Sequence, residues 1–208
     1  MHNMKVISFL LLLLLVSCTH KKINIAPNEY QSLPAIDYED VIPFQQFDCW
    51  KLICSEFTDP EYFILNIPPY LDSTIYSSNN QTIDDYKTDY HPGWGFQIGC
   101  LPGFCFRFIK TFKDNSINYW TTFDSLRIFL GTIDNISEAQ FLAYGFGYYS
   151  YEESVFKPAK DGYILIMLRY VSFGMPVQID RFILKIFKNG EIKILERDIY
   201  YKNDYAII

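Results

Sequence analysis

The chain is poor in charge and in histidine. Of its 208 residues 20% are charged, three are histidine, and 18 Lys and Arg face 24 Asp and Glu for a net charge of −6. No basic run crosses the body, which argues against a nucleic-acid partner. Catalytic motifs are missing too. No Gly-x-Ser-x-Gly surrounds a serine, so a nucleophile elbow is excluded. No His-Glu-x-x-His occurs, and one histidine in the body, His91, is too few for a zinc hydrolase. Asp84-Asp85 lacks the Asp-x-Asp-x-Asp-Gly pattern of a calcium loop. Gly145-Phe146-Gly147 offers two glycines after a helix, a poor phosphate cradle. The sequence therefore points to no catalytic residue, no metal and no cofactor.

Apolar residues make up 50% of the chain, with 18 Phe, 17 Tyr and 3 Trp. That composition excludes disorder and favours a β-rich domain with a large core. One feature at the N-terminus sets the compartment. Val6–Val16 is apolar apart from Ser8 and includes six leucines in a row. It is too short to span a bilayer core, which needs about 20 residues, and has the length of a signal-peptide core. Leu15-Val16-Ser17-Cys18 follows. No other apolar stretch approaches 18 residues, so the body lies outside the membrane.

Leu15-Val16-Ser17-Cys18 resembles the lipobox of bacterial lipoproteins. The resemblance implies that residues 1–17 are a signal peptide and that the Cys18 thiol receives diacylglycerol. Cleavage before Cys18 then frees an amino group for acylation, as with palmitate. Two or three chains at about 0.8 kcal/mol per buried methylene give a lasting anchor. Removing residues 1–17 takes away one lysine and no acid, which leaves a net charge of −7. Thr19 stands where an aspartate often marks inner-membrane retention in such proteins. His20-Lys21-Lys22 is not the acidic cluster of many surface-exported ones. The expectation is an outer-membrane anchor with the body facing the periplasm.

Four cysteines remain, Cys49, Cys54, Cys100 and Cys105, in two C-x4-C pairs. In an oxidising compartment an even number reads first as disulfides. Pro102-Gly103 turns the chain between Cys100 and Cys105 and favours a local bond there, with Cys49–Cys54 as its companion. The longer loops closed by cross-pairing would contribute more stability, and a four-thiolate zinc site is the rival reading.

Residues 18–40 are polar and contain Pro27 and Pro34, as a tether would; 41–208 then form one domain. Strands are predicted at Tyr62–Ile67, Phe104–Phe112, Ile117–Thr122 and Gly162–Val171, the last buried and central. A long loop is predicted over 72–93, with a short helix near Ile83–Tyr86. Two short helices are expected, one with Asp124 as N-cap and Gly131 as stop, one with a Ser137–Gln140 capping box closed by Gly145. Asp180–Phe187 and Glu191–Tyr201 flank Asn189-Gly190, which fits a hairpin with a type I′ turn. The fold class expected is α+β: an antiparallel sheet with a C-terminal three-stranded meander and two short helices.

Phe123–Ala139, with its Leu130-Gly131-Thr132-Ile133-Asp134 turn, resembles a segment of envelope lipoproteins of the Bacteroidota type, which implies no activity. Asp72-Ser73-Thr74 and Asp124-Ser125-Leu126 are similar to O-glycosylation sites of such envelopes. His91, Trp94, Tyr148 and Tyr149 are the candidate ligand-binding residues, since a loop histidine and aromatic faces suit a glycan. The expected function is a lipid-anchored binding module with a protein or glycan partner. The alternatives are a hydrolase using His91 and nearby carboxylates, and an immunity-type inhibitor.

Overall fold

Buried and half-buried positions alternate along Asp180–Phe187, as the apolar pattern of a strand dictates. The computed structural model describes residues 22–23, 28–57, 70–78, 92–99, 105–172 and 176–203. The strands are β1 (Gln31–Ser32), β2 (Cys49–Phe57), β3 (Tyr70–Ser77), β4 (Phe96–Gly99), β5 (Cys105–Lys113) and β6 (Ser116–Trp120), then β7 (Val155–Ala159), β8 (Gly162–Ser172), β9 (Val177–Phe187) and β10 (Ile192–Asn203). Helices α1 (Phe123–Leu130) and α2 (Ile136–Gly145) lie between β6 and β7 in the chain. All pairings are antiparallel. Sheet A runs β1-β7-β8-β9-β10; sheet B runs β3-β2-β5-β4, with β6 also on β5. The fold is α+β and mostly β.

One core joins both sheets through the helices. It takes Trp50, Leu52, Phe96 and Ile109 from sheet B, Leu126, Phe129, Phe141 and Leu142 from the helices, and Leu165, Met167, Phe182 and Leu184 from sheet A. Each such side chain contributes about 1.5–3 kcal/mol on burial. Stacked against Tyr76 and edge-on to Phe141, Tyr38 joins this core. Burial pushes its phenol up to about 12.

Helix α2 is buried almost throughout, its polar residues included. The Glu138 carboxylate accepts from the N–H groups of Asp134 (2.7 Å), Asn135 (3.3 Å) and Ile42 (3.1 Å). Gln140 donates to the Pro34 carbonyl at 3.0 Å, and Ser137 Oγ accepts from the Asp37 N–H at 3.3 Å. The polar side of α2 thus serves the backbone of the arm 34–42, which covers it. Pairing these groups offsets the cost of taking them out of water. From residue 28 onward the segment expected as a tether lies on the domain: β1 pairs with β7, and Leu33 and Ile36 pack on the core.

Several local expectations change. Thr122, not Asp124, caps α1, in a reciprocal box with Ser125. Asn135, not Ser137, caps α2, with Glu138 as its box partner. In both helices the residue in extended conformation directly before the first turn takes the cap. Gly145 sits inside the end of α2, where a Cβ would lie 2.2 Å from Leu126 Cδ2, so its role is close helix packing. Residues 72–77 of the expected loop belong to β3 (Tyr70–Ser77), because its backbone finds partners along β2. The stretches 62–67 and 83–86 lie outside the described residues.

The type I′ turn expected at Asn189-Gly190 is found at another hairpin. At Asp114-Asn115 both residues have positive φ (50° and 59°), the signature of type I′. At Lys188-Asn189-Gly190 only Gly190 does (76°). There Gly190 N–H reaches the Phe187 carbonyl and Phe187 N–H the Glu191 carbonyl, each at 2.9 Å, across a three-residue connection. Asn189 Oδ1 accepts from Glu191 N–H instead. That is a type I turn followed by one left-handed residue.

Candidate functional site

Among the described residues, the predicted site residues differ in setting. Trp94 is exposed beside β4. Tyr148 is a core residue, edge-on to Phe182 at 5.2 Å with the Arg169 guanidinium over its ring, so it presents no face to a ligand. Tyr149 is half-buried and stacks on Tyr170 at 5.5 Å. His91, Cys18 and Cys100 lie outside the described residues.

Cys49 and Cys54 carry buried thiols, not a mutual disulfide. Both sit in β2, where five residues of extended chain span about 16 Å, against the roughly 4.4–6.8 Å that a disulfide needs. An odd spacing also sends the two side chains to opposite faces. Cys105 is disulfide-bonded.

Two surfaces are built from other residues. The first is an open cleft of about 380 Å³ over the start of β2, lined by Ile42, Gln45, Gln46, Phe47, Asp48 and Trp50. Its loop is fixed at three points: Ile42 N–H on Glu138, Phe44 N–H on the Phe129 carbonyl at 2.8 Å, and Asp48 N–H on the Phe112 carbonyl at 2.9 Å. The Phe129 carbonyl lies in the last turn of α1 and would otherwise lack a helical partner. Phe47 stacks on Phe129 (14° between rings) and meets Trp120 edge-on, which gives the cleft a rigid aromatic floor. Asp48 Oδ2 accepts from Asp114 N–H at 3.1 Å, and Ser78 Oγ from Trp50 N–H at 2.9 Å. Two side-chain amides, a carboxylate and a hydroxyl thus ring an aromatic floor. The signal in the sequence was Phe44-Gln45-Gln46-Phe47-Asp48-Cys49-Trp50, where aromatics and amides interleave without a strand or helix period.

The second surface is the end of the outer face of sheet A. Tyr170, Ile179 and Tyr201 are direct neighbours across β8, β9 and β10. Tyr149 stacks on Tyr170, and Tyr151 packs on Tyr200 at 5.2 Å. Burial raises the phenol pKa of Tyr149, and neighbouring Tyr170 adds to the shift. One register step inward, Arg181 binds Asp198 through two nitrogens, at 2.6 and 3.0 Å. This pair holds the backbone of Ile23: Asp198 accepts from its N–H (2.9 Å), and Arg181 donates to its carbonyl (3.2 Å). Burial alone would raise the Asp198 pKa; the hydrogen bonds from Arg181 and Ile23 outweigh it and hold the carboxyl below its ordinary value. On the inner face Asp180 pairs with Arg197 and accepts from Gln178 at 2.7 Å.

No family model, curated protein or solved structure matches this chain.

Proposed function

We propose that the chain is a bacterial lipoprotein, held at the outer membrane by acyl chains on Cys18 with its body in the periplasm, and that the body binds a glycan of the envelope. The observation that carries the binding reading is the cleft over Trp50. The half-buried Phe47 ring, with Trp50 buried beside it, suits the apolar edge of a sugar, and Gln45, Gln46 and Asp48 supply partners for hydroxyls. Among the described residues, the buried carboxylates Glu138, Asp180 and Asp198 serve capping and ion pairs. The disulfide at Cys105 accords with an oxidising compartment. We also read β8, β9 and β10 as one meander, since they are bonded neighbours in chain order.

Two measurements test this reading. Cys18→Ala abolishes labelled-lipid incorporation and releases the chain from the membrane fraction; unchanged labelling sinks the anchor. Titrating envelope glycan fragments changes tryptophan emission, because Trp50 lines the cleft. The Gln45→Ala/Gln46→Ala pair weakens that response at least tenfold. An unaltered response in the double variant sinks the cleft as the site.

A further inference from the structure

The clamp on Ile23 fixes where the chain leaves the domain. Its two backbone groups are held by Arg181 and Asp198, on the outer face of sheet A, one register step from the row Tyr170–Ile179–Tyr201. Only four residues, five steps of the chain, lie between Cys18 and Ile23. Fully extended, they reach at most about 18 Å. A lipid attached at Cys18 therefore brings this face, and not the far sheet, against the bilayer.

The chemistry of the face agrees. Tyr200 is 46% exposed and Tyr170 and Tyr201 are 40% exposed, with Val171 beside them at 39%. A tyrosine offers an apolar ring and a polar tip, which suits the headgroup level where one side is oily and the other wet. The neighbouring charges Arg181 and Asp198 neutralise each other, so this ion pair adds no net charge beside the row.

We propose that the tyrosine-bearing end of the outer face of sheet A is a membrane-docking surface, seated in the interface of the same bilayer that holds the acyl chains. This rests on the reading of Cys18 as the lipid site. The body is then held in one orientation by two contacts, the lipid and the aromatic row.

The test uses the full, lipidated chain in vesicles of phosphatidylethanolamine and phosphatidylglycerol with brominated acyl chains, which quench tryptophan at the interface. In Tyr201→Trp the added emission falls at least threefold relative to unbrominated vesicles, with the parent chain as background. On the unaltered chain, amide hydrogen exchange over 168–172 and 198–203 slows at least tenfold on vesicles relative to Cys18→Ala in solution. A chain that floats with the vesicles yet shows neither effect overturns the docking and leaves the anchor standing. A chain that does not float overturns the anchor and the docking with it. Concentration-dependent protection of the same segments without vesicles assigns the face to a second copy and overturns the membrane.

Discussion

Sheets A and B have five strands each, and they are made in different ways. In sheet A, β7 to β10 pair in chain order through short connections, so each pairing closes a small loop. In sheet B the middle strand β5 pairs with β2, placing Leu52 opposite Ile109 across more than fifty residues. Closing a long loop costs more chain entropy, and the cost is recovered only when the side chains meet. Sheet A is therefore specified locally, by turns and alternation. Sheet B depends on the core that α1 and α2 complete between the two. The comparison teaches that neither sheet is an independent unit: sheet B has a local hairpin of its own at Asp114-Asn115, and it is the pairing of β2 with β5 that needs the shared core.

The largest expected effect tests that dependence. Leu184 is fully buried in sheet A, and Leu184→Ala costs about 2–5 kcal/mol. Trp50, Trp94 and Trp120 all belong to sheet B or its approach. Tryptophan emission and far-ultraviolet circular dichroism should nevertheless shift by the same amount in a denaturant titration. A tryptophan midpoint that stays in place would show two separate units.

A smaller effect is expected at the joint. Glu138→Ala leaves three backbone N–H groups without their carboxylate and costs about 2–4 kcal/mol. The exposed Glu152→Ala changes stability by less than about 0.5 kcal/mol. Equal midpoints for the two variants would remove Glu138 from its place as the tie between α2 and the arm.

The smallest effect is confined to one edge of sheet A. Asp198 has a folded pKa below its ordinary value. Its clamp on Ile23 is fully stabilising above about pH 4 and is lost as pH falls through the folded value. Hydrogen exchange at the Ile23 amide should quicken on acidification before the tryptophan-detected transition moves. Asp198→Asn should show the faster exchange already at neutral pH. An Ile23 amide that keeps its protection in the variant would separate the arm from the ion pair.

Legibility in the sequence follows the same division. The apolar run 162–171, the turn residues around Asn189 and the two helices with Gly131 as a stop all carry their signal within a few residues. Caps shifted by two residues because Ser, Thr, Asn and Asp cluster at both helix starts, and only backbone conformation selects among them. β3 was missed because Tyr70–Ser77 is polar enough to resemble a loop; its partner β2 supplies what its own side chains do not. Tyr148 and Tyr149 are adjacent in sequence, yet one faces the core and the other the surface, as side chains in extended backbone must.

The sequence by itself determined the α+β class, the apolar periods of the long strands and the existence of the two helices. These follow from local chemistry, which needs no distant partner. Only the tertiary structure decided that Cys49 and Cys54 stand on opposite faces of one strand and that Glu138 serves an arm nearly a hundred residues away. It alone placed Ile23 in the grip of Arg181 and Asp198, beside a row in which tyrosines of β8 and β10 flank Ile179 of β9. The physical reason is that such sites are made by register and packing between segments far apart in the chain, and no local pattern encodes which segments will meet.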